Sequence, residues 1–321
     1  FGTVVAESQT SPTASLMYSA WGFRPISGDI DSYDNLMEEL YDPDLSPTAD
    51  YRINPVKAAQ NEYKPTFNNT MTLNSYAEYK ISNNLSLRVT GGLTKSDILQ
   101  EVFNNSSSRL GNPNNNNKVN GSITNTEITN LLNENTLTYN ARLKKGHSLK
   151  VLAGFTMQDV RSYSNGFTAI QIPNESLGMI GLAEGEVTTS PVSDLRSGLL
   201  SYLGRVDYNY KSKYLVTVSF RSDGSSRFPS DNRWGYFPSG AFAWRFTDES
   251  FMKGLDFIND GKLRIGYGHT GNNRVSDYAP YTALRMLPNT GYSTGNVPGK
   301  GMVPVSLGNN KLKWETTVQS N

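Results

Sequence analysis

From Met71 onward, apolar and polar side chains alternate with period two, the pattern that sends successive residues to opposite faces of an extended strand. Leu73, Ala77, Tyr79 and Ile81 share one face, Ser82 to Asn84 interrupt the run, and Leu85, Leu87, Val89 and Leu93 resume it. Asn74, Glu78, Lys80, Arg88 and Thr90 fall on the other face. The arrangement recurs. Leu137, Tyr139, Ala141 and Leu143 lead through a turn at Lys144 to His147 into Leu149, Val151, Ala153, Phe155 and Met157, opposite Thr138, Asn140, Arg142, Ser148 and Lys150. Leu200, Tyr202, Val206, Tyr208 and Tyr210 lead through Lys211 to Lys213 into Tyr214, Val216, Val218 and Phe220, opposite Ser201, Arg205, Asp207, Asn209, Thr217 and Arg221. A fourth pair carries Tyr236, Phe242, Trp244 and Phe246 through a short helical connection near Ser250 to Leu255 into Leu263, Ile265 and Tyr267, and Leu312, Trp314, Thr316 and Val318 begin a further strand. The pattern thus predicts an all-β chain of about nine antiparallel strands, each with one greasy and one wettable face.

The connections alternate in length. The turns at 82–84, 144–147 and 211–213 are tight, whereas Ile98 to Ser122, Gln158 to Leu195 and Gly271 to Asn310 read as long loops. A soluble sandwich has no need of this alternation. An up-and-down transmembrane barrel does, because its short turns face the periplasm and its long loops face outside. Tyr208, Tyr210 and Tyr214 crowd one tight turn, where a barrel places an aromatic girdle with rings in the interface and hydroxyls in water. Cross-strand aromatic pairing in a soluble sheet gives the same spacing. Ahead of the strands, Ser11-Pro12 resembles a helix start, and Asp31 to Tyr41 a short helix carrying Leu36, Met37 and Leu40. The chain therefore divides into a loop region with short helices over 1–66, expected to be extracellular, and part of a transmembrane β-barrel over 67–321. Asn112 to Asn117 is nearly all Asn and reads as a mobile loop tip.

Composition narrows the partners. Across 321 residues, 30 Lys and Arg against 29 Asp and Glu leave a net charge of +1, so no global field recruits nucleic acid. The chain has no cysteine, which removes disulfides and thiolate metal sites. No apolar run approaches the ~20 residues of a membrane helix. A mean hydropathy of -0.50 is compatible with barrel strands, whose second face is polar. Phe1 to Thr10 lacks the charged start and apolar stretch of a secretory signal, so the chain is expected to be an internal piece of an exported protein.

Candidate chemistry is sparse. Gly266, Gly268 and Gly271 match G-x-G-x-x-G after a strand, but Asn272-Asn273-Arg274 leads to Pro280 without helical period, so the helix N-terminus that would hold a pyrophosphate is not predicted. Asp29, Asp31, Asp34 and Glu38 evoke a calcium loop, yet Tyr33 occupies a ligand position and the turn glycine is absent. His147 and His269 fall in a turn and at a strand end, on opposite edges of the wall. Ser222-Asp223-Gly224-Ser225-Ser226 offers hydroxyls without a neighbouring base, and its Asp-Gly reads as a turn. No residue is assigned to catalysis, to a cofactor or to a metal. Arg88, Arg142, Arg205, Asp207 and Arg221 suit a hydrated lumen or contact with a plug, and Tyr163, Tyr278 and Tyr281 lie in loops that could touch a ligand. Substrate-binding residues stay unassigned.

Several segments together resemble SusC/RagA-type TonB-dependent transporters of the Bacteroidetes outer membrane. They are Leu200–Tyr210 with Lys213–Leu215, Phe220–Phe228, Arg233–Ser239 with Ala243–Arg245, Leu263–Gly268 with Thr270–Asn272, and Leu312–Glu315; Asn54-Pro55 is similar but less distinctive. The resemblance implies part of a plugged barrel of about 22 strands, with the plug and its energy-coupling box outside this chain. It further implies import of oligosaccharides or peptides, powered through the TonB complex, with a SusD-like surface lipoprotein as lid and outer-membrane lipid as surroundings. From the residues alone, a secreted soluble β-domain for carbohydrate binding or adhesion is the alternative.

Overall fold

The computed structural model describes residues 60–108, 110–113, 116–252, 258–294 and 297–321. The helices expected near Ser11 and over Asp31 to Tyr41, Asn54-Pro55 and the acidic cluster Asp29 to Glu38 lie outside the described residues.

In chain order the first strands are β1 (Glu62–Tyr63), β2 (Thr66–Lys80), β3 (Leu85–Asn104), β4 (Asn120–Leu143), β5 (His147–Ile170), β6 (Glu186–Thr189) and β7 (Val192–Tyr210). They are followed by β8 (Tyr214–Ser225), β9 (Trp234–Arg245), β10 (Lys262–Asn272), β11 (Ala283–Thr294), β12 (Val297–Ser306) and β13 (Glu315–Ser320). Eleven of them form one sheet in the order β1-β3-β4-β5-β7-β8-β9-β10-β13, with β2 also on β3 and β6 also on β5. Sequential antiparallel neighbours joined by tight turns are what the alternating pattern predicts, and the nine longer strands of this sheet match the expected number. The path has two ends, so these strands are part of a wall and not a complete ring.

The strands overrun the expected loops. The loop placed at Ile98 to Ser122 is strand up to Asn104 and again from Asn120, and that placed at Gln158 to Leu195 is strand to Ile170 and from Val192. A tilted span of hydrocarbon takes about 9–11 residues, whereas β4 and β5 have 24 each. The first residues of β4 and the far half of β5 carry Asn, Ser, Thr and Gln, which read as loop but extend the ladder once a neighbour supplies backbone partners. The third expected loop holds a separate two-stranded sheet, β11 on β12. The last strand begins at Glu315, so Leu312 and Trp314 precede it. The connection near Ser250 is made of 3₁₀ turns at Phe246–Asp248 and Ser250–Met252, its remainder lying outside the described residues.

The chain divides into two compact units. The first comprises residues 1–70, 96–128 and 162–194. It has a small core of Phe103, Val119, Ala169, Ile172 and Leu182, against which Phe167 and Met179 pack. The 3₁₀ segment Glu175–Glu184 delivers Leu182 to this core, opened by the Asn174 side chain accepting from the Ser176 N–H. Glu175 fastens the same segment to the preceding loop by accepting from the Ser106 N–H (2.7 Å) and hydroxyl (2.9 Å). The backbone N–H groups of Gln171 and Ile172 donate to the carbonyls of Asn117 and Val119. Residues 114 and 115 of the Asn run are outside the described residues, and its flank is tied down by these bonds.

The second unit comprises residues 71–95, 129–161 and 195–321. Its registers fix the faces. Tyr210 pairs with Tyr214, Tyr208 with Val216 and Val206 with Val218 across β7 and β8, while Val216 meets Phe242 and Phe242 meets Ile265 across β9 and β10. The greasy positions therefore line up in rows across four strands, and they are exposed: Val218 54%, Phe220 50%, Ile265 57%. A soluble fold would bury such rows beneath a second layer, and none covers them among the described residues.

Candidate functional site

The opposite face of the second unit is the one with built polar chemistry. Period two places Arg205 and Asp207 side by side on β7, where the guanidinium Nε donates to both carboxylate oxygens (3.0 and 2.9 Å) and Nη2 donates to Oδ1 (2.8 Å). The Thr217 hydroxyl, opposite Asp207 in the ladder, donates to the same carboxylate at 2.7 Å. Lys150 of β5 adds a second positive charge acting on it. One strand over the pattern repeats: Arg221 Nε donates to both oxygens of Asp223 (2.7 and 2.8 Å), and its Nη2 donates to the Ser201 hydroxyl at 3.2 Å. The hydroxyls of Ser219 and Ser239 share a bond of 2.6 Å on the same face. Half-exposed ion pairs of this kind contribute little stability, about 0–1 kcal/mol each. Their consequence is a strip of fixed dipoles with spare oxygen and nitrogen capacity, suited to a wet interior and to hydrogen-bonding solutes.

Towards the outer ends of these strands the polar face meets a clamp. Arg227 Nε donates to Asp277 at 2.6 Å, and Trp314 packs on Phe228 and Phe237 while its indole N–H donates to the Arg233 carbonyl at 2.9 Å. The loop between β8 and β9 is thereby tied to segments on both sides of the β11–β12 hairpin.

The apolar face carries two groups of rings. Near the tight turns His147 stacks on Tyr210 (4.4 Å between centroids) and Tyr210 on Tyr214. Higher up, Phe155, Tyr202 and Trp234 form a row, with Phe220 stacked on Tyr236. The rings near the tight turns are anchored by Glu249, in the connection after β9, which accepts from the Tyr214 hydroxyl (2.7 Å), the Lys213 ammonium (3.2 Å) and the Trp244 indole N–H (3.4 Å). The Tyr214 hydroxyl, followed by the Lys213 ammonium, holds the Glu249 carboxyl below its ordinary range. In the first unit, the Glu101 carboxylate accepting from Tyr63 pushes that phenol up.

The expected lumen residues are distributed as follows. Arg205, Asp207 and Arg221 lie within the network just described. Arg88 instead covers the Tyr76 ring at 4.0 Å, and Arg142 is exposed near its turn. Tyr163 belongs to β5 and not to a loop, because β5 runs on to Ile170. Tyr278 and Tyr281 are exposed in the segment before β11. Asp223–Gly224 is strand and not a turn, since Arg221 satisfies the carboxylate that would otherwise favour an Asx turn. Sequence reading thus missed Asp223, although the spacing Arg-x-Asp, present at both 205–207 and 221–223, could have revealed it. Nothing in sequence marks Glu249 or Asp277 as partners of Tyr214 and Arg227. The glycines of the G-x-G-x-x-G match lie within β10. His147 Nδ1 sits 2.6 Å from the Tyr208 hydroxyl, and His269 Nε2 sits 2.9 Å from that of Tyr267. No cluster of three or more His, Cys, Asp or Glu suited to a metal occurs among the described residues.

Comparison with known proteins gives one consistent result. The family described as TonB dependent receptor-like, beta-barrel matches residues 7–321. TonB-dependent receptor P39 of Formosa agariphila is 35% identical over 247 residues, covering 75% of this chain and 23% of that protein. TonB-dependent receptor SusC of Bacteroides thetaiotaomicron is 41% identical over 128 residues, 39% of this chain and 13% of that protein. The RagAB peptide transporter superposes with a TM-score of 0.66 at 20% sequence identity, covering 82% of this chain and 28% of that chain, a likeness of fold. The chain spans about a quarter of the length of the P39 relative.

Proposed function

Because this chain belongs to the TonB dependent receptor-like β-barrel family of the bacterial outer membrane, we propose that it forms part of the wall of a transporter that imports oligosaccharides or peptides. The soluble secreted domain gives way to a membrane wall, and an enzyme to a transporter or receptor. The observation that carries the reading is the two-sidedness of the second unit. Exposed rows of Val, Phe, Ile and Tyr face one way, and the Arg205–Asp207 and Arg221–Asp223 pairs with their Ser and Thr partners face the other.

The greasy rows meet hydrocarbon, where backbone groups must be paired within the sheet, and β8 has a neighbour on both sides, β7 over Tyr214 to Ser225 and β9 over Tyr214 to Gly224. The polar strip borders a hydrated path. Its pairs are neutral overall, which leaves hydroxyl- and amide-rich solutes able to exchange hydrogen bonds with it without a strong preference for either charge. That suits neutral sugars and mixed peptides alike. In this reading residues 1–66 and the β11–β12 hairpin are extracellular, where a SusD-like lipoprotein covers the entrance. Energy enters from the TonB complex through a plug that fills the barrel.

The test is genetic and uses the full-length parent. Deleting it should abolish growth on one oligosaccharide or peptide mixture as sole carbon source, and complementation should restore growth only with an intact TonB system. A parent that is monodisperse without detergent, or uptake indifferent to TonB, refutes the reading. Co-purification of a lipoprotein with the parent, lost when the β11–β12 hairpin is deleted, tests the partner.

A further inference from the structure

The apolar face is not smooth. In the second unit a groove of about 920 Å³ crosses it, walled by Leu73, Leu131, Met157 and Trp234 with Gly91 and Gly198 among the residues of its floor. These belong to β2, β3, β4, β5, β7 and β9 and fall in the greasy register of their strands. The glycines make the depression. A Cβ at Gly91 would meet nothing within 4 Å, and one at Gly198 only the Gln158 carbonyl at 3.8 Å.

Height identifies the surroundings. The groove lies about ten strand residues above the tight turns, and at tilted-strand rise that spans the ~25 Å apolar band. It therefore opens at the upper edge of the hydrocarbon. There the row Phe155, Tyr202 and Trp234 forms the outer aromatic belt. Charge appears at its rim: Arg196 donates to Asp159 through Nε (3.0 Å) and Nη2 (3.0 Å), and Arg233 is exposed beside Trp234.

We propose that this groove holds one acyl chain of an anionic, phosphate-bearing lipid, with the headgroup at the Arg233 rim. The proposal rests on the outer-membrane placement argued above and adds a site to it. A groove in this face is continuous with the contact proposed above between the apolar band and lipid tails. Left empty, its leucines and methionine would forfeit their dispersion contacts on one side. Water is a poor filler of the stretch between Leu73, Leu131, Met157 and Leu200, because ordered water needs two to four polar partners and these side chains offer none. A flexible apolar chain fits, and since Asp159 already holds Arg196, the exposed Arg233 is the rim cation whose planar donors match the phosphate of an anionic headgroup. The volume lies within the range of about 300–1,000 Å³ usual for ligand sites.

The experiment uses the full-length parent purified in mild detergent, exchanged into micelles containing phosphatidylglycerol or phosphatidylcholine with the same acyl chains, and examined by native mass spectrometry. Wild-type protein should retain one phosphatidylglycerol in preference to phosphatidylcholine. Gly91→Leu and Gly198→Leu put their Cβ atoms in open space at the depression and should lose the retained lipid. Gly204→Leu is the control, because it lies on the same face in equally open space outside the groove and should retain it. Arg233→Gln should lower the preference for phosphatidylglycerol roughly fivefold. Retention that survives Gly91→Leu and Gly198→Leu, equal loss with Gly204→Leu, or a wild-type protein that carries no lipid overturns the proposal. These failures leave the transporter reading intact. That reading fails separately if the parent does not fractionate with the outer membrane.

Discussion

Val218 offers the sharpest test of which side of the wall meets lipid. It is 54% exposed, pairs with Val206 and Gly240, and lies in the greasy register of β8. Counting from Tyr214 in the lower ring group, it stands about four residues up the strand, or ~10 Å along the membrane normal at a tilt of roughly 40°. That is close to the middle of a ~25 Å apolar band. Arginine at the midplane of a barrel's lipid face costs about 2–4 kcal/mol, which is roughly 30- to 1,000-fold in the folding equilibrium. In water the same change at an exposed valine would cost no more than about 0.5 kcal/mol. The paired variant is Ala241→Arg, one strand over, opposite Thr217 and therefore on the polar face, where it is also exposed. Its expected cost is about 0.5 kcal/mol or less. Urea unfolding of the full-length parent from lipid vesicles, read by the heat-modifiable shift on gels, gives both values. Val218→Arg should be strongly destabilised and Ala241→Arg nearly neutral. Equal behaviour of the two, or a Val218→Arg protein as stable as wild type, refutes the assignment of the faces.

Further outcomes follow from other contacts. Glu249 has a folded-state pKa depressed below its unfolded value by Tyr214 and then Lys213. Its contribution is therefore present above the ordinary Glu range and lost as pH falls through the folded value. Thermal midpoints measured on either side of about pH 4 should fall more steeply towards acid for wild type than for Glu249→Gln, and identical slopes would remove Glu249 as the anchor of the lower rings. Trp314→Ala loses ring contacts to Phe228 and Phe237 and the bond to the Arg233 carbonyl. Since Trp314 is only half-buried, a cost of about 2 kcal/mol is expected, below that of a fully buried Trp. Limited proteolysis should then cut the segment between β8 and β9 faster, and an unchanged cleavage rate counts against the clamp. Leu182 is 2% exposed in the small core of the first unit. Leu182→Ala should cost about 3 kcal/mol and speed hydrogen exchange over residues 171–185, whereas unchanged protection there would mean that the core does not hold the 3₁₀ segment.

Period-two alternation by itself determined the nine longer strands of the main sheet and their two faces, because a half-buried strand leaves a local record of which side is wet. It located the tight turns at 82–84, 144–147 and 211–213, the ring cluster at Tyr208, Tyr210 and Tyr214, and Arg205, Asp207 and Arg221 on one polar side. Tertiary structure decided what depends on a neighbour. Stretches such as Ile98 to Asn104 and Gln158 to Ile170 read as loop yet extend β3 and β5, since their backbone groups are satisfied by adjacent strands, and residues 283–306 form a hairpin that no strong alternation announces. Asp223 is a strand residue because Arg221 holds it, and Trp314 left the last strand for a bond to a carbonyl 81 positions away. Glu249 reaches Tyr214 across 35 positions of sequence. The groove is still less local: its glycines and leucines acquire a common height only when six strands take their register, a relation between chain segments that no single stretch of sequence contains.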